Sequence, residues 1–159
     1  MLELTLLLLL FIANGSPIVA RHIFANRFAF PVDGGRLLDD GQPLFGHSKT
    51  IRGIVASLLL TIIAAQLLGL SWQIGLMVSV AAMLGDLFSS FIKRRLKKPV
   101  SSRFIGLDQI PESLFPALVC KTQLALSIYS ISLIVLMFIL GELLLSRIMY
   151  KLKIRRNPY

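Results

Sequence analysis

Apolar residues run on for the length of a bilayer crossing at 54–70, 72–92 and 124–146, and again from Leu4 through a polar break at Asn14-Gly15-Ser16-Pro17. A helical span needs ~20 such residues. Backbone inside hydrocarbon must satisfy its own N–H and C=O groups, so each run is expected to be a helix. A weaker stretch, 109–122, is interrupted by Pro111, Glu112, Pro116 and Lys121. The chain is therefore expected to be an all-α, polytopic membrane protein, one domain over 1–159, with about five transmembrane helices. Its N-terminal run lacks the basic start of a signal peptide and carries Glu3 instead, so it reads as the first span. With 55% apolar residues, the chain lies outside the range of ordinary soluble domains.

The charges set an orientation. Of 17 basic residues, five lie in 21–52, six in 93–103 and five in 147–156, leaving Lys121 for the other side. By the positive-inside rule, the loops about 24–53 and 93–107 and the tail 147–159 face the cytoplasm and the N-terminus lies outside. The net charge of +9 then gathers on one face of a cell or inner membrane, where it meets anionic head groups or a polyanionic solute. Nucleic acid is not an expected partner. The chain is compatible with a homodimer and does not demand one. The lone cysteine, Cys120, sits in an apolar stretch and reads as packing.

The loop after the first helix carries Pro31, Asp33-Gly34-Gly35 and Asp40-Gly41, the signature of tight turns, and is expected to be a structured piece of chain. Gly41 to Ser48 approaches the phosphate-loop pattern, but His47 stands where lysine belongs and no βαβ unit surrounds it, so that motif is rejected. Lys49, Thr50, Arg52 and Gly53 immediately precede or open the second helix. Two cations and a hydroxyl beside exposed helix N–H groups suit phosphates; Lys49 and Arg52 also read as plain positive-inside anchors.

Asp86 poses the sharpest question. It falls 14 residues after Trp72, a rise of ~21 Å, so it lies inside the hydrocarbon near the cytoplasmic edge. A carboxylate there calls for a partner, with Lys93 or a metal as candidates. Asp86, Ser90, Lys93 and Lys97 share one helix face at i, i+4, i+7 and i+11. Arg94 lies close by, and Arg103 follows a short Pro99-Val-Ser-Ser turn that folds back over the same place. Asp108 has two readings. It is either a helix N-cap ahead of Pro111 and Glu112, or it shares a divalent cation, Mg²⁺ with its oxygen ligands, with Asp86. Glu142 reads as a paired or snorkelling residue near Arg147. Asn14 to Pro17 is expected to kink the first helix and free a carbonyl near Ala13.

Together these features suit phosphoryl or nucleotidyl transfer onto a lipid head group, where cations neutralise a triphosphate and a phosphate oxyanion attacks without a general base. The runs Gly85-Asp86 to Arg95 and Gly106-Leu-Asp108-Gln109-Ile-Pro111-Glu112-Ser113 also resemble CDP-archaeol synthases. These are integral-membrane cytidylyltransferases related to bacterial CDP-diacylglycerol synthase. The similarity extends to Asp33-Gly34, Asp40-Gly41, Leu44-Phe45-Gly46, Lys49-Thr50, Arg52-Gly53 and the Asn14-to-Pro17 break, covering roughly residues 12–116.

This resemblance implies five helices and the reaction of CTP with a phosphorylated lipid to give a CDP-lipid and pyrophosphate. It implies Asp86 and Asp108 for the Mg²⁺–triphosphate, and Lys49, Thr50, Arg52, Lys93 and Arg94 for phosphates. Ser90 and Gly53 line the same expected pocket, and Arg103 is added as a clamp on the lipid phosphate. The lipid is either an archaeal-type ether lipid phosphate or a related lipid phosphate. The competing reading is a non-catalytic, anionic-lipid-binding membrane scaffold whose basic collar is only an anchor.

Overall fold

In the computed structural model, which describes residues 2–102 and 104–151, the chain is a bundle of five helices with no strand among the described residues. They are α1 (Leu2–Phe24), α2 (Ile51–Leu67), α3 (Trp72–Arg95), α4 (Gln109–Val119) and α5 (Ile128–Lys151). The all-α expectation holds. Three helices, α1, α3 and α5, are long and apolar enough to cross a membrane. With 17 residues α2 is near that length, whereas α4, at 11 residues, rises only ~17 Å. The weak 109–122 stretch is thus a helix shorter than a full crossing, and the turn after it carries the chain on to the start of α5, where Ser130 bonds Glu3 at the start of α1.

Small residues set how closely the helices approach, as they do where lipid tails give no hydrophobic drive for association. At Gly75 of α3 an added Cβ would lie 2.7 Å from the Ile62 Cα of α2, and at Gly141 of α5 it would lie 2.4 Å from the Phe11 ring of α1. Phe11 stacks on Phe138 with centroids 5.2 Å apart. Leu6, Leu9, Leu10, Val78, Cys120, Ile134 and Phe138 fill the core. Leu59, Leu67, Leu84, Leu133 and Leu140 are exposed on the outside, the apolar surface that a bilayer covers.

α1 is continuous as a helix through Asn14 to Pro17, and Pro17 meets the start of α2, where a Cβ on Gly53 would lie 3.1 Å from the Pro17 Cβ. One local expectation changes. α3 stops at Arg95, and Lys97 takes the left-handed conformation (φ 54°) just beyond it. Lys97 therefore leaves the face that Asp86, Ser90 and Lys93 share, because the chain turns before completing the next helical turn.

The loop over 25–50 is ordered by its own backbone. Val32 N–H donates to the Lys49 carbonyl (2.9 Å) and Ile51 N–H to the Phe30 carbonyl (3.0 Å), around a bridge between Pro31 and Thr50. The loop docks on the end of α3. Arg95 donates to Asp40 Oδ2 and to the Pro43 carbonyl, each at 2.8 Å, and its guanidinium lies 5.3 Å over the Phe91 ring.

Candidate active site

One carboxylate organises the loop that delivers Lys49. Asp33 is buried, and it accepts from the backbone N–H groups of Gly35 (3.0 Å), Phe45 (2.9 Å) and Gly46 (2.9 Å). Burial alone would raise its pKa. The amides of Gly46, Phe45 and Gly35 outweigh that and hold the carboxyl below its ordinary value. Gly46 adopts φ 95°, and a Cβ there would lie 3.1 Å from Val100, so the turn also seats against the α3–α4 linker. Lys49 N–H closes it by donating to the Gly46 carbonyl (3.1 Å).

From that turn the Lys49 ammonium reaches α3 and pairs with the half-buried Asp86, the partner a carboxylate at that depth calls for. Of the expected partners, Lys93 pairs elsewhere, and the loop supplies an ammonium. Burial opposes the charge on Lys49, yet Asp86, then Glu112 and more distantly Asp108, raise its pKa above the ordinary lysine value. Lys49 therefore stays an ammonium facing three carboxylates.

Lys93 serves a second pair. Its ammonium lies 2.7 Å from Asp108 Oδ1 and donates to the Ser102 carbonyl (2.9 Å). Asp108 occupies the N-cap position of α4, but its side chain makes no cap bond; its Oδ2 accepts instead from Phe104 N–H (3.0 Å). Arg94 donates to the Pro99 carbonyl (2.8 Å). Lys93 and Arg94 thus fold the linker back over the end of α3. Ser90 is buried one turn from Asp86, on the same face.

At the start of α2, Thr50 Oγ1 caps the helix by accepting from Gly53 N–H (3.2 Å), which leaves its O–H free to donate. Arg52 is engaged elsewhere, donating to the carbonyls of Ala25 and Arg27 at the end of α1. It ties α1 to α2, a role that sequence reasoning did not assign. Arg103 lies outside the described residues.

The residue that sequence reasoning passed over is Glu112. It reads as an ordinary first-turn acid of α4, but it is buried at 8% exposure with its carboxyl against Asp86. The reason is Gly85, where a Cβ would lie 2.3 Å from the Pro111 carbonyl oxygen and 2.8 Å from the Glu112 nitrogen. Only glycine lets the first turn of α4 come this close to α3. The glycine beside Asp86 and the i, i+4 spacing of Asp108 and Glu112 were the available signals. Glu142 of α5 acts electrostatically on Glu112 as well.

Among the described residues no three His, Cys, Asp or Glu side chains converge as a ready-made metal cage. The donors present are nevertheless hard oxygens, Asp86 beside Glu112. They fit a cation such as Mg²⁺, which is usually held by one or two carboxylates together with substrate phosphates and water.

The model of the CarS-like CDP-archaeol synthase family matches residues 1–159. The CDP-archaeol synthase of Sulfurisphaera tokodaii is 36% identical over 156 residues, covering 94% of this chain and 85% of that one. The CDP-archaeol synthase of Sulfolobus acidocaldarius is 33% identical over 135 residues, 81% of this chain and 83% of the other. A solved structure described as an intramembrane enzyme for archaeal membrane lipids biosynthesis superposes with a TM-score of 0.72. It is 29% identical and covers 87% of this chain and 89% of its own.

Proposed function

The chain belongs to the CDP-archaeol synthase family, and from that premise we propose that it is an integral-membrane enzyme transferring the cytidylyl group of CTP to the phosphate of an archaeal ether lipid. The products are a CDP-lipid and pyrophosphate. In the reaction an oxyanion of the lipid phosphate forms a bond to the α-phosphorus of CTP as the bond to the pyrophosphate oxygen breaks. The nucleophile is already ionised, so no side chain has to remove a proton. What the protein must supply is positive charge and alignment.

The observation that carries this reading is the meeting of two ion pairs, Lys49 with Asp86 and Lys93 with Asp108, at the end of α3 where the loop and the linker close over it. Lys49 and Lys93 are the cations for the triphosphate, with the Thr50 hydroxyl as a donor beside them. Asp108 positions Lys93 and holds the linker through Phe104. Arg94 keeps that linker folded, and Arg103, seven residues before Ile110, is assigned to the lipid phosphate. Asp86 would hold Mg²⁺, with phosphate oxygens and water completing its coordination. When bound, Mg²⁺ neutralises charge on the triphosphate and the departing pyrophosphate.

We place the site and the C-terminus on the cytoplasmic side, since the basic residues gather there and CTP is a cytosolic solute. The test is pyrophosphate release by purified protein given Mg²⁺, CTP and archaeal ether lipid phosphate. Release that depends on the lipid supports the reading, and none across a panel of ether and ester lipid phosphates ends it.

A further inference from the structure

We propose that Glu112, not Asp108, is the second protein carboxylate at the cation that accompanies CTP, an inference that rests on the cytidylyltransferase reading above. The spacing of acids along the sequence pairs Asp86 with Asp108, the two residues at the cytoplasmic ends of neighbouring apolar stretches. The folded chain pairs them differently. Asp108 is matched by its own cation, the Lys93 ammonium 2.7 Å from Oδ1, and its Oδ2 accepts from the Phe104 N–H at 3.0 Å. To ligate, it would have to give up that ion pair.

Glu112 is placed the other way round. It is buried at 8% exposure, and its hydrogen-bonding neighbour among the described residues is another carboxylate, Asp86. The cation that acts on both, Lys49, is already paired with Asp86. Two carboxylates facing each other repel unless a proton or a cation lies between them, and the one ammonium, Lys49, pairs with Asp86, so Glu112 has to be met by a proton or by a second cation. The arrangement is built into the backbone, because Gly85 is the contact through which the Pro111–Glu112 peptide touches α3. A side chain at 85 would push Glu112 away from Asp86 while leaving Asp108, a full turn earlier, beside Lys93. Two adjacent carboxylates that share a single ammonium are hard oxygen donors of the kind a divalent cation takes, with the triphosphate providing its remaining oxygens.

The test reads the metal directly. Mn²⁺, a paramagnetic stand-in for Mg²⁺, is titrated by electron paramagnetic resonance into purified protein with a non-hydrolysable CTP analogue held at saturation for each variant. Wild type is compared with Glu112→Gln, Glu112→Asp, Asp108→Asn and Asp86→Asn. Glu112→Gln and Asp86→Asn are expected to weaken Mn²⁺ by at least the ~10-fold that loss of even an outer-sphere partner costs. Glu112→Asp should recover part of that loss, and it keeps the test open if the glutamine variant does not fold. Asp108→Asn should leave Mn²⁺ within about twofold of wild type while weakening the CTP analogue through Lys93. A weakening in Asp108→Asn equal to or greater than that in Glu112→Gln overturns the assignment, as does an unchanged Mn²⁺ affinity in Glu112→Gln. The titration needs no turnover, so its result stands apart from whether lipid phosphate is cytidylylated.

Discussion

Gly85 and Pro111 are in backbone contact: a Cβ on the glycine would lie 2.3 Å from the proline carbonyl oxygen. That contact joins α3 to α4 at the level of the charged site, and it brings Glu112 to Asp86. Gly85→Ala should therefore destabilise the protein by about 1–3 kcal/mol or more, since a backbone carbonyl has nowhere to move. It should also lower Mn²⁺ affinity. Gly75→Ala makes a comparably tight contact with α2 at a distance from the site. Its thermal stability should fall similarly while the metal affinity of the folded fraction stays at the wild-type value.

Asp86→Asn keeps the shape of the side chain and removes its charge. Turnover should drop by orders of magnitude, as for loss of a metal ligand or of a preorganised charge in a site of this kind, while detergent-solubilised protein still elutes as a folded species. Lys49→Met should act mainly on CTP, raising its KM. Because the neighbouring carboxylates raise the pKa of Lys49 above its ordinary value, its stabilising contribution is complete below the unfolded value near 10.4 and is lost only as pH rises through the higher folded one. A pH profile between 7 and 10 should show no limb that disappears in Lys49→Met.

Asp33 gives the opposite pH behaviour. Its carboxyl is held below the ordinary value by three backbone amides despite burial. Its contribution is complete above the unfolded value near 3.9 and is lost as pH falls through the lower folded one. Hydrogen exchange at the Phe45 and Gly46 amides should stay slow down to about pH 4 and accelerate below it. Asp33→Ala leaves those amides without partners, at a cost of about 1–3 kcal/mol. It should loosen the turn that sets Lys49, raising the KM for CTP more than it lowers kcat.

Arg52 separates two roles for one cation. Its guanidinium holds the carbonyls of Ala25 and Arg27, so Arg52→Gln should lower thermal stability by ~1 kcal/mol, the modest figure suited to an exposed charged contact. The KM for CTP should change by less than about twofold. A large rise in KM with unchanged stability would return Arg52 to the phosphates.

The helices were legible in the sequence because apolar length alone dictates them, and four of the five fall within a few residues of where the apolar runs lie. α4 was legible as the weak stretch at 109–122, and it ends at Val119, within a few residues of that reading, with Pro116 inside it. The burial depth of Asp86 followed from counting residues down α3. Its partner did not, because Lys49 lies 37 residues earlier and reaches it through a loop whose shape is set by Asp33. Spacing along the chain could pair Asp86 with Asp108, but only the Gly85 contact reveals Glu112. Asp108 looked like a cap because Pro and Glu follow it, and the fold turns its oxygens to Lys93 and Phe104 instead.

The most direct test of the central claim follows label from CTP into lipid. Purified protein in archaeal-lipid vesicles is given Mg²⁺, CTP labelled at the α-phosphate, and ether- or ester-linked lipid phosphates, with Asp86→Asn run alongside. We expect label to enter a CDP-lipid with the ether substrate in equal amount to the pyrophosphate released, and Asp86→Asn to abolish both. Wild-type protein that incorporates no label into either lipid class, or Asp86→Asn that incorporates it as wild type does, would contradict the account.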